Sequence, residues 1–358
     1  MKIAFLSFYS GAVDRGVEVA TQALAKGLAK EFSTTVFQSG RRVAPQVATV
    51  VLPVTTSRKL DSGSGLLKSI YLDYFSLKIL VFTLQWLPYF LREKYDAVIP
   101  TNGGWQVVIC RLACWILGKK LVVQGNAGIG RDDRWQLLWQ PEMFIAISPS
   151  GFAWAKRFYP HHKISFIPYG VDIPAIAKAK AHPVNLKKPI VLCVAAFLPY
   201  KRLELLIYAM KDITKASLLL IGHGSLEPKL HELGELLLPG RFKLLTNVTH
   251  EQLPGYYKCA RVFSLPSQES EAFGIVYVEA LAANVPVVAT EDTNRRYLIG
   301  GAGVLVNPEN IKDFSAALRK ALQSNFGDKP RKQAEKFSWS EIVKQYKLLL
   351  TELTRDKT

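Results

Sequence analysis

Eleven short runs of apolar residues, each four to six residues long, recur along the chain at 3–7, 34–38, 97–100, 121–124 and 144–148, and again at 190–195, 217–221, 242–245, 262–266, 285–290 and 303–306. Their residues do not alternate between apolar and polar, so each run reads as a strand buried on both faces. A sheet of such strands is parallel and needs a helix for every crossover. The stretches between the runs carry helical periodicity. In the first, Val17, Ala20, Leu24 and Leu28 recur at steps of three and four and share one face, while Glu18, Lys26 and Lys30 lie elsewhere. A Pro-bearing stretch, 166–189, separates the two series. The pattern predicts an α/β protein of two tandem doubly wound, Rossmann-like units, with domains at 1–172 and 173–335 and a closing helix at 336–358 that packs back on either unit, the first being favoured. A chain of 358 residues is long enough for two such cores.

Composition narrows the class. With 49% hydrophobic and 21% charged residues, the chain is neither disordered nor fibrous. The formal charge of +17 favours an anionic partner: a nucleotide, a phosphorylated substrate, a nucleic acid or an acidic membrane surface. Through Asp172 there are 20 basic and 11 acidic residues, and 26 and 18 after it, so neither half is a basic tail. That even spread, with no zinc-finger spacing, argues against nucleic acid. Cys110, Cys114, Cys193 and Cys259 sit in apolar runs without a Cys-x-x-Cys pair, which suggests neither disulfides nor zinc. The segment after Met1 is strand-like and too short for a signal-peptide core, so a reducing, cytoplasmic compartment is expected.

Residues 66–92 interleave Tyr71, Tyr74, Phe75, Phe82, Trp86, Tyr89 and Phe90 with Lys68, Lys78 and Arg92. The longest uncharged run there, 79–91, contains Pro88 and falls short of the ~17–25 residues that span a bilayer. Two readings stay open: an interfacial surface that contacts an anionic membrane, placing the protein on its inner face, or an ordinary buried helix with a Pro-bent end.

The most informative stretch runs Ser264-Leu-Pro-Ser-Gln-Glu-Ser-Glu271-Ala-Phe-Gly-Ile-Val-Tyr-Val-Glu279 and continues to Thr290. A strand ends at Pro266, a polar loop follows, and a helix starts near Gly274. Glu271 therefore falls at the carboxyl end of a parallel strand, where open α/β sheets bind ligands. Glu227 and Glu235 have the same spacing but lie in an amphipathic surface helix, so context and not spacing singles out Glu271 and Glu279. Helical rise would put the two roughly 12 Å apart, wider than the paired carboxylates of a glycoside hydrolase, and suited to gripping two ends of an extended ligand such as a sugar and a ribose. The amides of Ala272, Phe273, Gly274 and Ile275 at the helix start add donors for phosphate or sugar oxygens.

Other loops follow strands in the same way. Gly11 and Gly16 flank the first turn and permit close backbone approach to a ligand. Lys201 and Arg202 follow the strand at 190–195, a basic pair at the start of a helix. His223 in Gly222-His-Gly224 lies at another strand end, as a nucleotide contact or a plain turn residue. No Asp-x-Asp is present to hold Mg²⁺ on a diphosphate, so no metal cofactor is expected.

Taken together these blocks resemble the retaining glycosyltransferases of family 4, whose GT-B architecture sets two Rossmann-like domains across a cleft. The similarity runs through Arg15-Gly-Val-Glu18, Ser148, Ile167-Pro-Tyr-Gly-Val-Asp172, Leu198-Pro-Tyr-Lys-Arg202, Gly222-His-Gly-Ser225, the Glu271–Glu279 stretch and Val285-Pro-Val-Val-Ala-Thr290. The resemblance implies a nucleotide-sugar donor, with Glu271 on the donor-sugar hydroxyls, Glu279 on the ribose, Lys201 and Arg202 on the diphosphate, and Gly11 near the phosphates or acceptor. It implies transfer of a hexosyl-type sugar, with retention and without a metal, to a glycan or lipid-linked acceptor held by the first domain. Two departures stand out. The loop Gln124-Gly-Asn-Ala-Gly-Ile-Gly130 lacks the His that many family members carry, leaving Asn126, with Gly16, as the acceptor-side candidate. Ala196-Phe197 replaces the family's Gly-Arg. A nucleotide-sugar epimerase on the same scaffold and a non-enzymatic basic binding protein are the alternatives.

Overall fold

The computed structural model describes residues 1–13, 16–42, 46–54 and 69–355; Arg15 and the start of the aromatic segment, 66–68, lie outside these. The chain forms two compact units, Met1–Tyr169 with Trp339–Thr358, and Gly170–Ser338. The divisions fall slightly outside the expected 172/173 and 335/336 because the two crossings are tied together. The Val171 amide donates to the Phe337 carbonyl at 2.8 Å, and Val171 bridges Ser338 in parallel.

The first unit holds seven parallel strands: β1 (Lys2–Leu6), β2 (Ser33–Gln38), β3 (Ala48–Val51), β4 (Ala97–Pro100), β5 (Lys120–Gly125), β6 (Met143–Ala146) and β7 (Ile164–Phe166), in the order β3-β2-β1-β4-β5-β6-β7. One face of the sheet is covered by a cluster that includes Phe82, Trp86, Phe90, Cys110 and Cys114. The other is covered by Leu24, Ala25 and Leu28 of the Gly16–Leu28 helix and by Ile342, Tyr346 and Leu350 of the Trp339–Arg355 helix. Sequence periodicity did not mark β3 and β7, the two edge strands, because they are short and partly exposed and lack the continuous apolar run of a central strand.

The aromatic segment forms the Tyr74–Glu93 helix, opened by the Asp73 carboxylate, which accepts from the amides of Phe75 at 3.1 Å and Ser76 at 3.3 Å. Within its 20 residues an 18-residue window has a mean hydropathy of 1.2, long and apolar enough to cross a bilayer by those measures alone. Phe82, Trp86 and Phe90 nevertheless lie at i, i+4 and i+8 and are buried against the sheet, so that face is committed to the core.

The second unit holds six parallel strands, β8 (Ile190–Val194), β9 (Ser217–Ile221), β10 (Phe242–Leu245), β11 (Val262–Leu265), β12 (Val287–Thr290) and β13 (Gly303–Val306), in the order β10-β9-β8-β11-β12-β13. In each sheet the strand order reverses direction once, between β1 and β4 and between β8 and β11. Connections leave such a pair toward opposite faces, and their loops part to leave a crevice at the carboxyl ends.

Candidate active site

The loops after β8 and β11, with the helix that follows β11, carry the residues singled out by sequence in the second unit apart from His223, which follows β9. After β8 the chain makes a short 3-10 turn, Pro199–Lys201, and Arg202 takes a left-handed conformation, φ 51°, before the Leu203–Met210 helix. The reversal sends neighbouring side chains apart. Lys201 is 8% exposed, pairs with the Glu271 carboxylate, and sits 4.9 Å from the centre of the Tyr200 ring. Burial alone would pull its ammonium down; the Glu271 carboxylate outweighs that and holds it above the ordinary lysine value. Arg202 instead turns onto loop backbone. Its Nε donates to the Pro266 carbonyl at 2.8 Å, Nη2 to the Ser267 carbonyl at 3.1 Å and Thr290 Oγ1 at 3.2 Å, and Nη1 to Glu309 Oε1 at 3.0 Å.

The two loops are joined by the Gln268 amide, which donates to the Tyr200 carbonyl at 2.8 Å. Gly274, φ +79°, precedes the Ile275–Ala282 helix, and a Cβ there would lie 2.5 Å from the Tyr277 ring, so the turn requires glycine. Among the described residues no side chain caps this helix start. Ala272, Gly274 and Ile275 are partly exposed, whereas the Phe273 ring is buried against Phe337, 6.2 Å between centres. Glu279 is 5% exposed; its carboxylate accepts from Tyr257 Oη at 2.7 Å and from His250 Nε2 at 3.3 Å.

His223 is exposed between Gly222 and Gly224. A Cβ on Gly222 would lie 1.8 Å from the Ala195 carbonyl oxygen and one on Gly224 2.6 Å from that of Phe197. The two glycines thus let the loops after β8 and β9 touch, and the Phe197 amide donates to the His223 carbonyl at 2.8 Å. Phe197, where the resemblance led us to look for an arginine, is buried at 1% exposure.

Three further residues were not visible in the sequence. His250 and Tyr257 fix Glu279 from a distant part of the chain. Arg295, fully buried, donates from Nη2 to Ser267 Oγ at 2.7 Å and the Gln268 carbonyl at 2.8 Å, and lies 5.8 Å from the centre of the Tyr277 ring. An Asp292-x-x-Arg295 pair after a strand is the one sequence signal it left: the Asp292 side chain caps the Thr293–Ile299 helix and pairs with Arg295.

Gly11, Gly16 and Asn126 belong to the first unit. Gly11, φ +73°, packs against the loop after β2, where a Cβ would meet the Arg42 carbonyl at 2.6 Å, and Gly16 opens the first helix. Asn126 Oδ1 accepts from Tyr169 Oη at 2.6 Å and its Nδ2 donates to the Thr101 carbonyl at 3.3 Å. It lines a cavity of about 540 Å³ with Tyr9, Tyr71, Trp105, Arg131 and Gln136.

Residues 176–338 match the family model described as glycosyl transferases group 1. That match covers just under half of the chain and takes in all six strands of the second sheet. The chain is 29% identical over 177 residues to an uncharacterized glycosyltransferase of Methanocaldococcus jannaschii, covering 46% of this chain and 48% of that protein. It is 33% identical over 119 residues to the O-antigen chain mannosyltransferase B of Escherichia coli, covering 31% of each. The chain thus spans about half or less of the length of these curated relatives. In fold it is similar, over 99% of this chain and 100% of the other, to sucrose-phosphate synthase from Thermosynechococcus elongatus, with a TM-score of 0.76 at 22% identity. It is likewise similar to Anabaena HepE solved in complex with UDP and glucose, with a TM-score of 0.75 at 17% identity over 98% and 99% of the two chains. The α/β architecture of two parallel sheets is that of the GT-B glycosyltransferases.

Proposed function

We propose that this protein transfers a hexosyl-type sugar from a nucleoside-diphosphate sugar to an acceptor hydroxyl, with retention at the anomeric carbon and without a metal. The observation that carries this reading is the buried Lys201–Glu271 pair at the strand-order reversal, beside an uncapped helix start. Leaving-group departure places negative charge on the diphosphate. An ammonium has three N–H donors, so Lys201 can keep Glu271 and still reach a phosphate oxygen. The amides of Ala272, Phe273, Gly274 and Ile275 supply fixed dipoles to the same charge, in a site already organised before the reaction. Glu271 accepts from donor-sugar hydroxyls. Glu279, held by Tyr257 and His250, accepts from the ribose. Arg202 serves by holding the loop at Pro266 and Ser267 in place for these contacts. The likeness to a structure containing UDP and glucose supports a nucleotide-sugar donor. The retaining course follows from the family 4 resemblance, with the donor phosphate taking the acceptor proton.

We further place the protein against an anionic lipid surface through the outward side of the Tyr74–Glu93 helix, where Val81, Leu84 and Leu91 are 40%, 49% and 63% exposed beside Arg92.

Thermal stabilisation by a panel of nucleoside diphosphates and their sugars identifies the donor, and Glu279→Ala weakens the shift. With that donor, Lys201→Ala and Glu271→Gln each lower turnover by about 10²–10³-fold while the fold persists. Undiminished turnover in both variants would remove the assignment. A rearranged nucleotide sugar formed without acceptor would replace transfer by epimerisation.

A further inference from the structure

The cavity in the first unit lies where the loops after β1, β4 and β5 converge, and one of its walls is held in a strained conformation. Tyr71 has φ +57°, a left-handed geometry that is strained for a non-glycine residue. Several contacts keep it there. Its hydroxyl donates to Asp132 Oδ1 at 2.6 Å, its ring lies on Gly104, where a Cβ would approach to 3.1 Å, and the Arg131 guanidinium is 4.9 Å from the ring centre. Trp135 supports the wall from behind, 5.2 Å from Tyr71 and 5.9 Å from Trp105, with its Nε1 donating to the Gly104 carbonyl at 2.9 Å. Burial and the Asp132 carboxylate push the Tyr71 phenol up, so it remains a neutral hydrogen-bonding ring.

Gln136 also lines the cavity. It is 5% exposed, and its Oε1 is buried without a hydrogen-bond partner among the described residues. An orphaned buried acceptor of this kind is unfavourable unless something donates to it. Aromatic faces beside carboxylates, an amide acceptor and a guanidinium match a polyol, which offers C–H faces to the rings and hydroxyls to the polar groups.

The mouth differs from the interior. Phe75 lines the cavity yet is 53% exposed; Ile70, whose carbonyl accepts from Trp105 Nε1 at 3.2 Å, is 45% exposed; Ile129, between the lining residues Ala127 and Arg131, is 52% exposed. Single exposed apolar residues are ordinary, but Phe75 lines this polar cavity, and Ile70 and Ile129 each lie within two residues of a lining residue along the chain, so apolar surface is offered beside head-group chemistry.

We infer that this cavity takes the sugar or polyol head of an amphiphile whose apolar chain lies over Ile70, Phe75 and Ile129. The inference rests on the proposed transferase reading, making the amphiphile its acceptor, and deepens it by naming the acceptor's class. Isothermal titration of the full chain, without nucleotide, tests it with methyl and octyl glycosides of glucose, galactose and mannose and with octyl tetraethylene glycol, all below micelle-forming concentrations. At least one octyl glycoside binds about tenfold or more tightly than its methyl counterpart, as burial of even two methylenes would give, and the headless amphiphile does not compete. Phe75→Ser with Ile129→Ser, both at exposed positions, brings octyl down to methyl affinity. Gln136→Leu abolishes discrimination among the sugars. Equal affinity of methyl and octyl forms, equal binding of the headless amphiphile, or no glycoside binding to folded protein overturns the proposal. Because nucleotide stabilisation is read separately, its survival in that last case would leave the donor site standing and sink the acceptor class alone.

Discussion

Asp133 is 3% exposed beneath the loop that carries Asn126 and Ala127, close enough to Gly125 that a Cβ there would lie 2.7 Å from Asp133 Oδ2. Burial pushes its carboxyl up to about 7, against a lowering contribution from the Ala127 amide and a further rise from Asp132. The native state thus holds a proton that the unfolded chain releases near its ordinary value of 3.8. Between those values the native state binds more protons, so stability is full below about pH 4, falls as pH rises toward 7, and levels above it. We expect urea denaturation to show the wild type losing roughly 2–3 kcal/mol between pH 5 and pH 8 from this group, and Asp133→Asn to remove most of that slope. An unchanged slope in the variant would assign it to other groups. At this scale the sequence announced the loop residues and not their partners. Lys201, Glu271 and Glu279 were legible because each follows a strand within a short motif. Arg202 looked equivalent to Lys201, yet its left-handed backbone aims it at Pro266 and Ser267 instead. His250, Tyr257 and Arg295 act through contacts over tens of residues, which local patterns do not encode.

Helices and central strands were legible to the extent that one face of each is buried. The Gly16–Leu28 helix shows this and also what periodicity omits. Gly27 carries no apolar side chain, yet it sits where the Trp339–Arg355 helix comes closest: a Cβ there would lie 2.3 Å from Val343 Cγ2. Glycine inside a helix is intrinsically unfavourable by about 1 kcal/mol against alanine, so the helix gives up propensity for close packing. Gly27→Ala is therefore expected to destabilise by about 1–3 kcal/mol despite its better propensity, and Gly27→Ala with Val343→Ala to recover much of the loss. Additive losses in denaturant midpoints would show that the two positions do not meet. The Tyr74–Glu93 helix gave the opposite difficulty. Its aromatic residues looked alike in sequence, but only Tyr74, Phe82, Trp86 and Phe90 face inward, while Phe75 and Tyr89 stay exposed.

The net charge of +17 is a property of the whole molecule, shared by both halves, and it acts over about 10 Å at ordinary ionic strength. Such a charge draws the protein toward anionic surfaces without fixing which face touches; the exposed Leu84 and Leu91 would fix it. Sedimentation with phosphatidylglycerol vesicles should therefore fall with added salt, and Leu84→Ser with Leu91→Ser should weaken it by several-fold at constant charge. Binding that responds to salt alone would remove the helix from the interface. The path of the chain has its own consequence. Residues 170–338 form one unit, and the two crossings lie side by side at Val171 and Ser338, so this unit is inserted into the other, which is completed only by residues 339–358. During synthesis the inserted unit emerges whole while the first still lacks the helix that covers Leu24, Leu28 and Ile145. The unit begun first would be the later to finish, its apolar sheet face open until residues 339–355 have been made.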